Sequence, residues 1–302
     1  MHILLTGSSG SVGSAVLLHL LDLSHTVTSV DIVPLPPAIS AQITPSQADK
    51  YTHHLLDLSL FSELDDLFKS HGPYDGVIHL SAIPSPLYHD PRMVHNVNVV
   101  AGYNVLKTAA DHGVKRIVQA SSVNAPGLSY SPEGMQRFDE LPVTEEAPFR
   151  TLDPYALSKH INELQAEHLV RIDPNLRIAS LRFHMVVPTY EEGILRSRWE
   201  DLFSWVSHKA SADACILGLT SEGWGGAEAF NIVAPEICWE GGISPPISGH
   251  EGLEGKVGAV ELVKKAWEGR VGVIHEEYWE GRPRRGLWDT EKAERMLEWK
   301  HD

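Results

Sequence analysis

An apolar run, His2-Ile3-Leu4-Leu5-Thr6, leads directly into Gly7-Ser8-Ser9-Gly10-Ser11-Val12-Gly13, and from Val12 to Leu21 apolar residues recur at helical spacing. Strand, glycine-rich turn and amphipathic helix in that order open a βαβ unit, where residues without side chains let the backbone approach a pyrophosphate at a helix N-terminus. The first 185 residues keep that alternation. Strands are expected over 2–6, 26–31, 51–56, 75–80, 115–120 and 176–183, and helices from Val12 to Leu21, Leu60 to Lys69, Met93 to His112 and Pro154 to Arg171. Short apolar strands alternating with longer amphipathic helices build a parallel sheet covered on both faces, so the fold class is α/β with a doubly wound parallel sheet.

After Pro188 the regularity fades. Residues 188–198 and 241–256 are rich in Gly, Pro, Ser and Glu and read as loops lining a pocket. Residues 1–185 are therefore expected to form a Rossmann-type cofactor domain and 186–302 a smaller substrate-binding lobe. A strand is expected at about 229–233, a candidate to return to the main sheet, and helices are expected at Val257 to Trp267 and Thr290 to Trp299. The eight tryptophans crowd the second half, where most should be packing and one or two should line the pocket.

Whole-chain properties exclude several classes of function. Lys plus Arg number 25 against 40 Asp plus Glu, a formal charge of −15, which repels nucleic acid and anionic membranes. No apolar run approaches the roughly 20 residues that cross a bilayer, and no secretory leader is seen, so a cytoplasmic protein is expected. Cys215 and Cys238 are too few for a disulfide framework, and no His-x-x-x-His pair stands beside a carboxylate, so no metal is expected.

The dinucleotide reading extends past the glycines. Val30-Asp31 ends the second strand about twenty residues beyond the loop, where a carboxylate accepts hydrogen bonds from adenosine ribose hydroxyls. With Ile32-Val33 following and no Arg or Lys to neutralise a 2′-phosphate, NAD is favoured over NADP. Asp57-Leu58 after the third strand is placed toward the adenine, and Leu80-Ser81-Ala82 after the fourth offers small residues across which a dinucleotide can lie.

Tyr155-Ala156-Leu157-Ser158-Lys159 sets a phenol and an ammonium four residues apart, on one face of a helix. A Tyr with pKa near 10 becomes a base at neutral pH only if its phenolate gains roughly 4 kcal/mol, for which Lys159 and a cationic nicotinamide are the candidate sources. The fifth strand ends in Ser121-Ser122, bringing a hydroxyl to the same crevice.

Together Gly7-x-x-Gly10-x-x-Gly13, Asp31, Asn98, Ser121-Ser122 and Tyr155-x-x-x-Lys159 resemble the NAD-dependent epimerase/dehydratase family, the extended short-chain dehydrogenases, over nearly the whole chain. The resemblance implies Tyr155 as acid/base, Lys159 on the nicotinamide ribose, and Ser122 on the reacting oxygen. It also implies cofactor contacts from Gly7, Gly10, Ser11, Val12, Gly13, Asn98, Phe183 and Val186, and a homodimer through helices 93–112 and 154–171. Ser122, Asn124 and His184 are the candidate substrate contacts, with Arg196 and Arg198 as further candidate anchors.

Two departures narrow the chemistry. Val123-Asn124-Ala125 follows Ser122 where water-eliminating members carry an acidic pair, and Leu181-Arg182-Phe183-His184-Met185 lacks the Asn usual in nucleotide-sugar epimerases. Uronate dehydrogenases resemble this chain in their compact C-terminal part. The leading expectation is an NAD-dependent oxidoreductase acting at a secondary alcohol carbon of a sugar, sugar acid or similar polyol. The alternatives are an NAD-retaining epimerase and a non-catalytic NAD sensor.

Overall fold

The computed structural model describes residues 1–132, 134–241 and 255–301. The first half runs β1 (His2–Thr6), α1 (Ser11–Asp22), β2 (Thr26–Asp31), the short helices α2 (Pro37–Ser40) and α3 (Pro45–Ala48), β3 (Tyr51–Leu55), α4 (Phe61–His71), β4 (Gly76–His79), α5 (Pro91–Asp111) and β5 (Arg116–Ser122). Then follow β6 (Phe138–Leu141), α6 (Pro154–Ile172), β7 (Arg177–Phe183), β8 (Val186–Val187), α7 (Tyr190–Arg196), β9 (Val206–Ser207), α8 (His208–Thr220), β10 (Gly226–Ile232), α9 (Ala259–Ala266), β11 (Val271–Ile274) and α10 (Glu291–Leu297).

Seven strands form one parallel sheet in the order β3-β2-β1-β4-β5-β7-β10. The chain leaves β1 toward β3 and then crosses back to β4 on the other side of β1. The crevice outside the carboxyl ends of β1 and β4 is thus the topological switch point, where ligands of such sheets bind. Val16, Leu17 and Leu20 of α1 pack with Ala210, Cys215 and Leu219 of α8 in one apolar layer. Leu64, Leu67 and Phe68 of α4, Val105 and Leu106 of α5, and Ala166 and Leu169 of α6 form another. The start of α6 follows from its sequence: the Asp153 carboxylate accepts from the Ala156 amide at 2.8 Å, and Pro154 sits where no amide is needed.

The second half differs from its sequence reading. The stretch 190–196, expected as loop, is α7, capped by the Thr189 hydroxyl on the Glu192 amide. Helix α8 was not expected. Its residues are buried nearly all round, so it lacks the polar stripe that marks an amphipathic helix. The chain after 186 returns twice to the main layers, through α8 and through β10, which pairs along its length with β7. A further core gathers β6, the paired β11, α9 and the tryptophans 199, 239, 267, 279 and 288. Residues 242–254 of the second expected loop lie outside the described residues. Among the described residues no helix is long and apolar enough to cross a membrane.

Candidate active site

The glycine loop is held by backbone. Gly7 has φ +76°, and a Cβ there would lie 2.6 Å from the Ser81 amide nitrogen, so the turns after β1 and β4 touch at the switch point. A Cβ on Gly13 would lie 1.9 Å from the Gly7 carbonyl oxygen, which lets α1 start directly against the loop. Gly10 is less crowded, with nothing nearer its missing Cβ than the Gly7 oxygen at 3.4 Å. Helix α1 has no side-chain cap and no acidic residue in its first turn. An open backbone cradle at an uncapped, acid-free helix terminus suits an anion, so these residues fit the diphosphate of a dinucleotide.

Asp31 borders the cradle. One of its oxygens accepts from the Ser9 amide at 2.9 Å, the other from Ile32 at 2.8 Å and Val33 at 3.3 Å, so the carboxylate also fastens the loop. Asp57 is exposed and accepts from the Ser59 amide at 2.9 Å, while Leu58 is buried. Asn98 does not reach the crevice surface. Its amide oxygen accepts from the Ile83 amide at 2.8 Å, and its nitrogen donates to the Ile83 carbonyl at 3.1 Å and Ser158 at 3.1 Å, pinning the segment after β4 to α6.

Beyond the cradle opens a cleft of about 480 Å³. Of the expected site residues, Val12, Leu80, Ala82, Ser122, Asn124, Tyr155, Lys159, Phe183, His184 and Val186 line it. Gly7, Gly10, Ser11, Gly13, Asp31, Ile32, Asp57, Leu58, Ser81 and Asn98 do not. All eight tryptophans are buried and none lines this cleft, contrary to the expectation that one or two would.

Tyr155 and Lys159 rise from the first turns of α6 onto the end of β5. The Lys159 ammonium lies 5.6 Å from the centre of the Tyr155 ring and donates to the Ala120 carbonyl at 2.7 Å. Tyr130 meets the Tyr155 ring edge-on at 5.8 Å. The Ser122 hydroxyl oxygen accepts from the Asn124 amide at 3.1 Å and its side-chain nitrogen at 3.3 Å, which leaves the hydroxyl proton for donation outward. Burial pushes the Tyr155 phenol well above its usual range, with the Ser122 hydrogen bond opposing. The expected lowering by Lys159 is therefore not met by the protein alone. Burial brings Lys159 down to about 8, against the pull of Glu163.

Sequence reading missed what lies behind this pair. Glu163, one helical turn past Lys159, accepts from Ser121 Oγ at 2.5 Å and from Arg182 Nε and an Arg182 terminal nitrogen at 2.9 and 2.8 Å. Both partners are buried, and Arg182 also donates to the Glu145 carbonyl at 3.0 Å. The ion pair thus joins α6, the end of β5 and β7 immediately behind the cleft. A signal was present: Arg182 interrupts the apolar strand Leu181-Arg182-Phe183, and a charge in a central strand requires a buried partner.

At the mouth, His184 and Asn124 are less available than expected. His184 Nδ1 accepts from the Met185 amide at 2.6 Å, so Nε2 carries the proton it donates to the Asp201 carbonyl at 2.6 Å, and burial lowers its pKa to about 4. The Asn124 amide is engaged by Ser122 and by Ser129 at 2.8 Å. Asp201, not foreseen, lines the cleft with its carboxyl raised by burial to about 8. Arg196 and Arg198 line the opening and are exposed.

A switch-point crevice with a glycine cradle on one side and a buried Tyr-Lys-Ser cluster on the other defines a dinucleotide-binding α/β protein with a reaction cleft. The model of the NAD dependent epimerase/dehydratase family matches residues 3–203, and the chain belongs to that family of enzymes, whose cofactor is NAD. It is 27% identical over 199 residues to UDP-glucose 4-epimerase 2 of Arabidopsis thaliana, covering 64% of this chain and 54% of that protein. The chain thus spans about half the length of the curated relatives it matches. Among solved structures, the fold matches UDP-glucose 4-epimerase from Thermotoga maritima with TM-score 0.67 at 18% identity, over 100% of this chain and 94% of that one. It also matches glucuronic acid dehydrogenase from Chromohalobacter salexigens with TM-score 0.63 at 21% identity, over 100% and 84%.

Proposed function

We propose that this chain is an NAD-dependent oxidoreductase acting at a secondary alcohol or ketone carbon of a sugar, sugar acid or similar polyol, with Tyr155 as acid/base. The observation that carries the reading is the meeting of Ser122, Tyr155 and Lys159 on one wall of the cleft that adjoins the glycine cradle. When bound, NAD supplies or accepts the hydride. In reduction, the Tyr155 hydroxyl gives its proton to the substrate oxygen while Ser122 donates a hydrogen bond to the same atom. In oxidation, the phenolate takes the hydroxyl proton and Ser122 holds the oxygen in place. Lys159 supplies the positive charge that makes the phenolate state accessible, and Glu163 and Arg182 hold that helix face against the end of β5.

Arg196 and Arg198 favour a substrate carrying a carboxylate, hence a sugar acid, and the likeness to a glucuronic acid dehydrogenase supports the same choice. The curated relatives named UDP-glucose 4-epimerase support a second reading, an epimerase that retains its NAD. Initial rates of NADH formation with free sugars, uronic acids and nucleotide sugars separate the two. Net NADH with a uronic acid, lost in Tyr155→Phe, is expected. Tightly held NAD and interconversion of a nucleotide sugar without net NADH would replace the first reading by the second.

The division at 185/186 into a cofactor part and a substrate part belongs to this proposal, as does a homodimer. Met93, Val97 and Val100 on α5 and Leu157 and Leu164 on α6 are exposed apolar residues on two helices that pack together. Sedimentation at twice the monomer mass is the expected result.

A further inference from the structure

Before Lys50 the chain contains no Lys or Arg, so the cradle that fits a diphosphate is made by a segment without a permanent cation, in a protein of net charge −15. Two histidines reach it from elsewhere, His53 of β3 and His208. His53 Nδ1 is 3.5 Å from the Ser8 hydroxyl, but its nitrogens are already held by Ser29 at 2.8 Å and the Val33 carbonyl at 3.2 Å. His208, the first residue of α8, meets Ser11, the first residue of α1, with Nε2 2.7 Å from the Ser11 hydroxyl oxygen. The two helices pack side by side, so both N-terminal ends lie at this corner. The other ring nitrogen, Nδ1, has no hydrogen-bond partner among the described residues.

We propose that His208 is the titrating partner of the dinucleotide diphosphate, so that NAD affinity rises as pH falls through the histidine range. This rests on the NAD assignment above. The groups facing His208 are few. From α7 come Glu192, which favours its charged form, and Arg196, which opposes it. On its own helix Lys209 pairs with Asp213, which also holds His19 of α1, and His301 accepts from the neighbouring Ser207 amide. Partial burial keeps free His208 below the ordinary histidine value. An anionic diphosphate beside it favours the imidazolium, and every unit by which binding raises its pKa is worth about tenfold in affinity between the neutral and charged forms. Binding therefore takes up a proton, and affinity grows with acidity until the free protein is itself protonated.

The test is calorimetric titration of NAD into the full chain at about pH 6 and about pH 7, a full unit below the value of about 8 at which Lys159 titrates, in buffers of different ionisation enthalpy. Wild type is expected to bind several-fold tighter at the lower pH with proton uptake. His208→Gln should bind at both values as wild type does at the higher one, with a change under about twofold and no proton uptake. His208→Lys should bind tightly at both, with melting curves showing all three proteins folded. A Gln variant that keeps the wild-type pH slope, or a Lys variant no tighter than Gln at the higher pH, overturns the inference and leaves the NAD assignment standing. Absence of NAD binding at every pH overturns both.

Discussion

The cradle and the cleft lie side by side along the same strand ends, yet they are built from different materials. The cradle is backbone: Gly7, Gly10 and Gly13, uncapped amides, and one carboxylate that itself fastens the loop. The cleft is walled by buried ionisable side chains, among them Tyr155, Lys159, Asp201 and His184. A diphosphate is recognised mainly by fixed dipoles, with His208 the titrating group proposed at their edge, whereas moving a proton requires groups whose charge can change in a poorly solvated place. Damage to the first should appear in cofactor affinity, and damage to the second in turnover and pH response.

Tyr155→Phe gives the sharpest test of that division. It removes the proton and leaves the cradle intact, so turnover should fall by about 10²–10⁴-fold while the NAD dissociation constant moves by less than about twofold. A matching loss of NAD affinity would break the comparison.

Glu163→Gln comes next. Leaving Arg182 with an uncharged partner in the interior is expected to cost stability on the order of 3 kcal/mol, read from denaturant melts. It should also move the alkaline limb of kcat/KM. In wild type that limb is expected to fall as pH rises through about 8, the value to which burial brings Lys159, and without the Glu163 charge the midpoint should drop. A merely structural Glu163 would lower stability and leave the midpoint in place.

Gly13→Ala attacks the other side. Its methyl group would collide with the Gly7 oxygen, so the loop must shift, and NAD affinity should weaken by about tenfold or more while turnover at saturating NAD changes little.

The smallest effect is a slope. His79 is buried beneath the cleft, with Thr6 Oγ1 2.7 Å from Nδ1, and burial lowers its pKa to about 3. Its folded value lies below its unfolded value near 6.5, so the unfolded chain binds the proton first. Stability is unaffected above about pH 6.5 and declines below it toward about pH 3, by up to ~1.4 kcal/mol per pH unit. His79→Gln should remove that share of the acid slope and change little at neutral pH, as thermal melts across this range will report.

The main-sheet strands were legible because most carry short apolar runs between helical segments, β1 stopping at Gly7 and β2 at Asp31, and the seventh, Gly226–Ile232, carries Phe230-Asn231-Ile232 at its buried end. Helix α8 was not legible because a helix covered on several sides loses its polar stripe. β6 and β11 were missed because each is four residues long and finds its partner far away in the chain. Asn98 was placed correctly in its helix, but its task was not readable: which groups its amide meets depends on how the turn after β4 returns to α6.

By itself the sequence determined the elements whose cause is local. Glycines before a helix, a carboxylate at the end of β2, a phenol and an ammonium one turn apart, and a serine at a strand end carry their spacing within short segments. Only the tertiary structure decided what depends on burial and on distant partners. It set Tyr155 high and Lys159 low, closed both nitrogens of His184, joined Glu163 to Arg182, and brought His208 to Ser11. Periodicity records which face of an element is apolar; the free energy of a charge depends on which groups, however remote in the chain, exclude water from it.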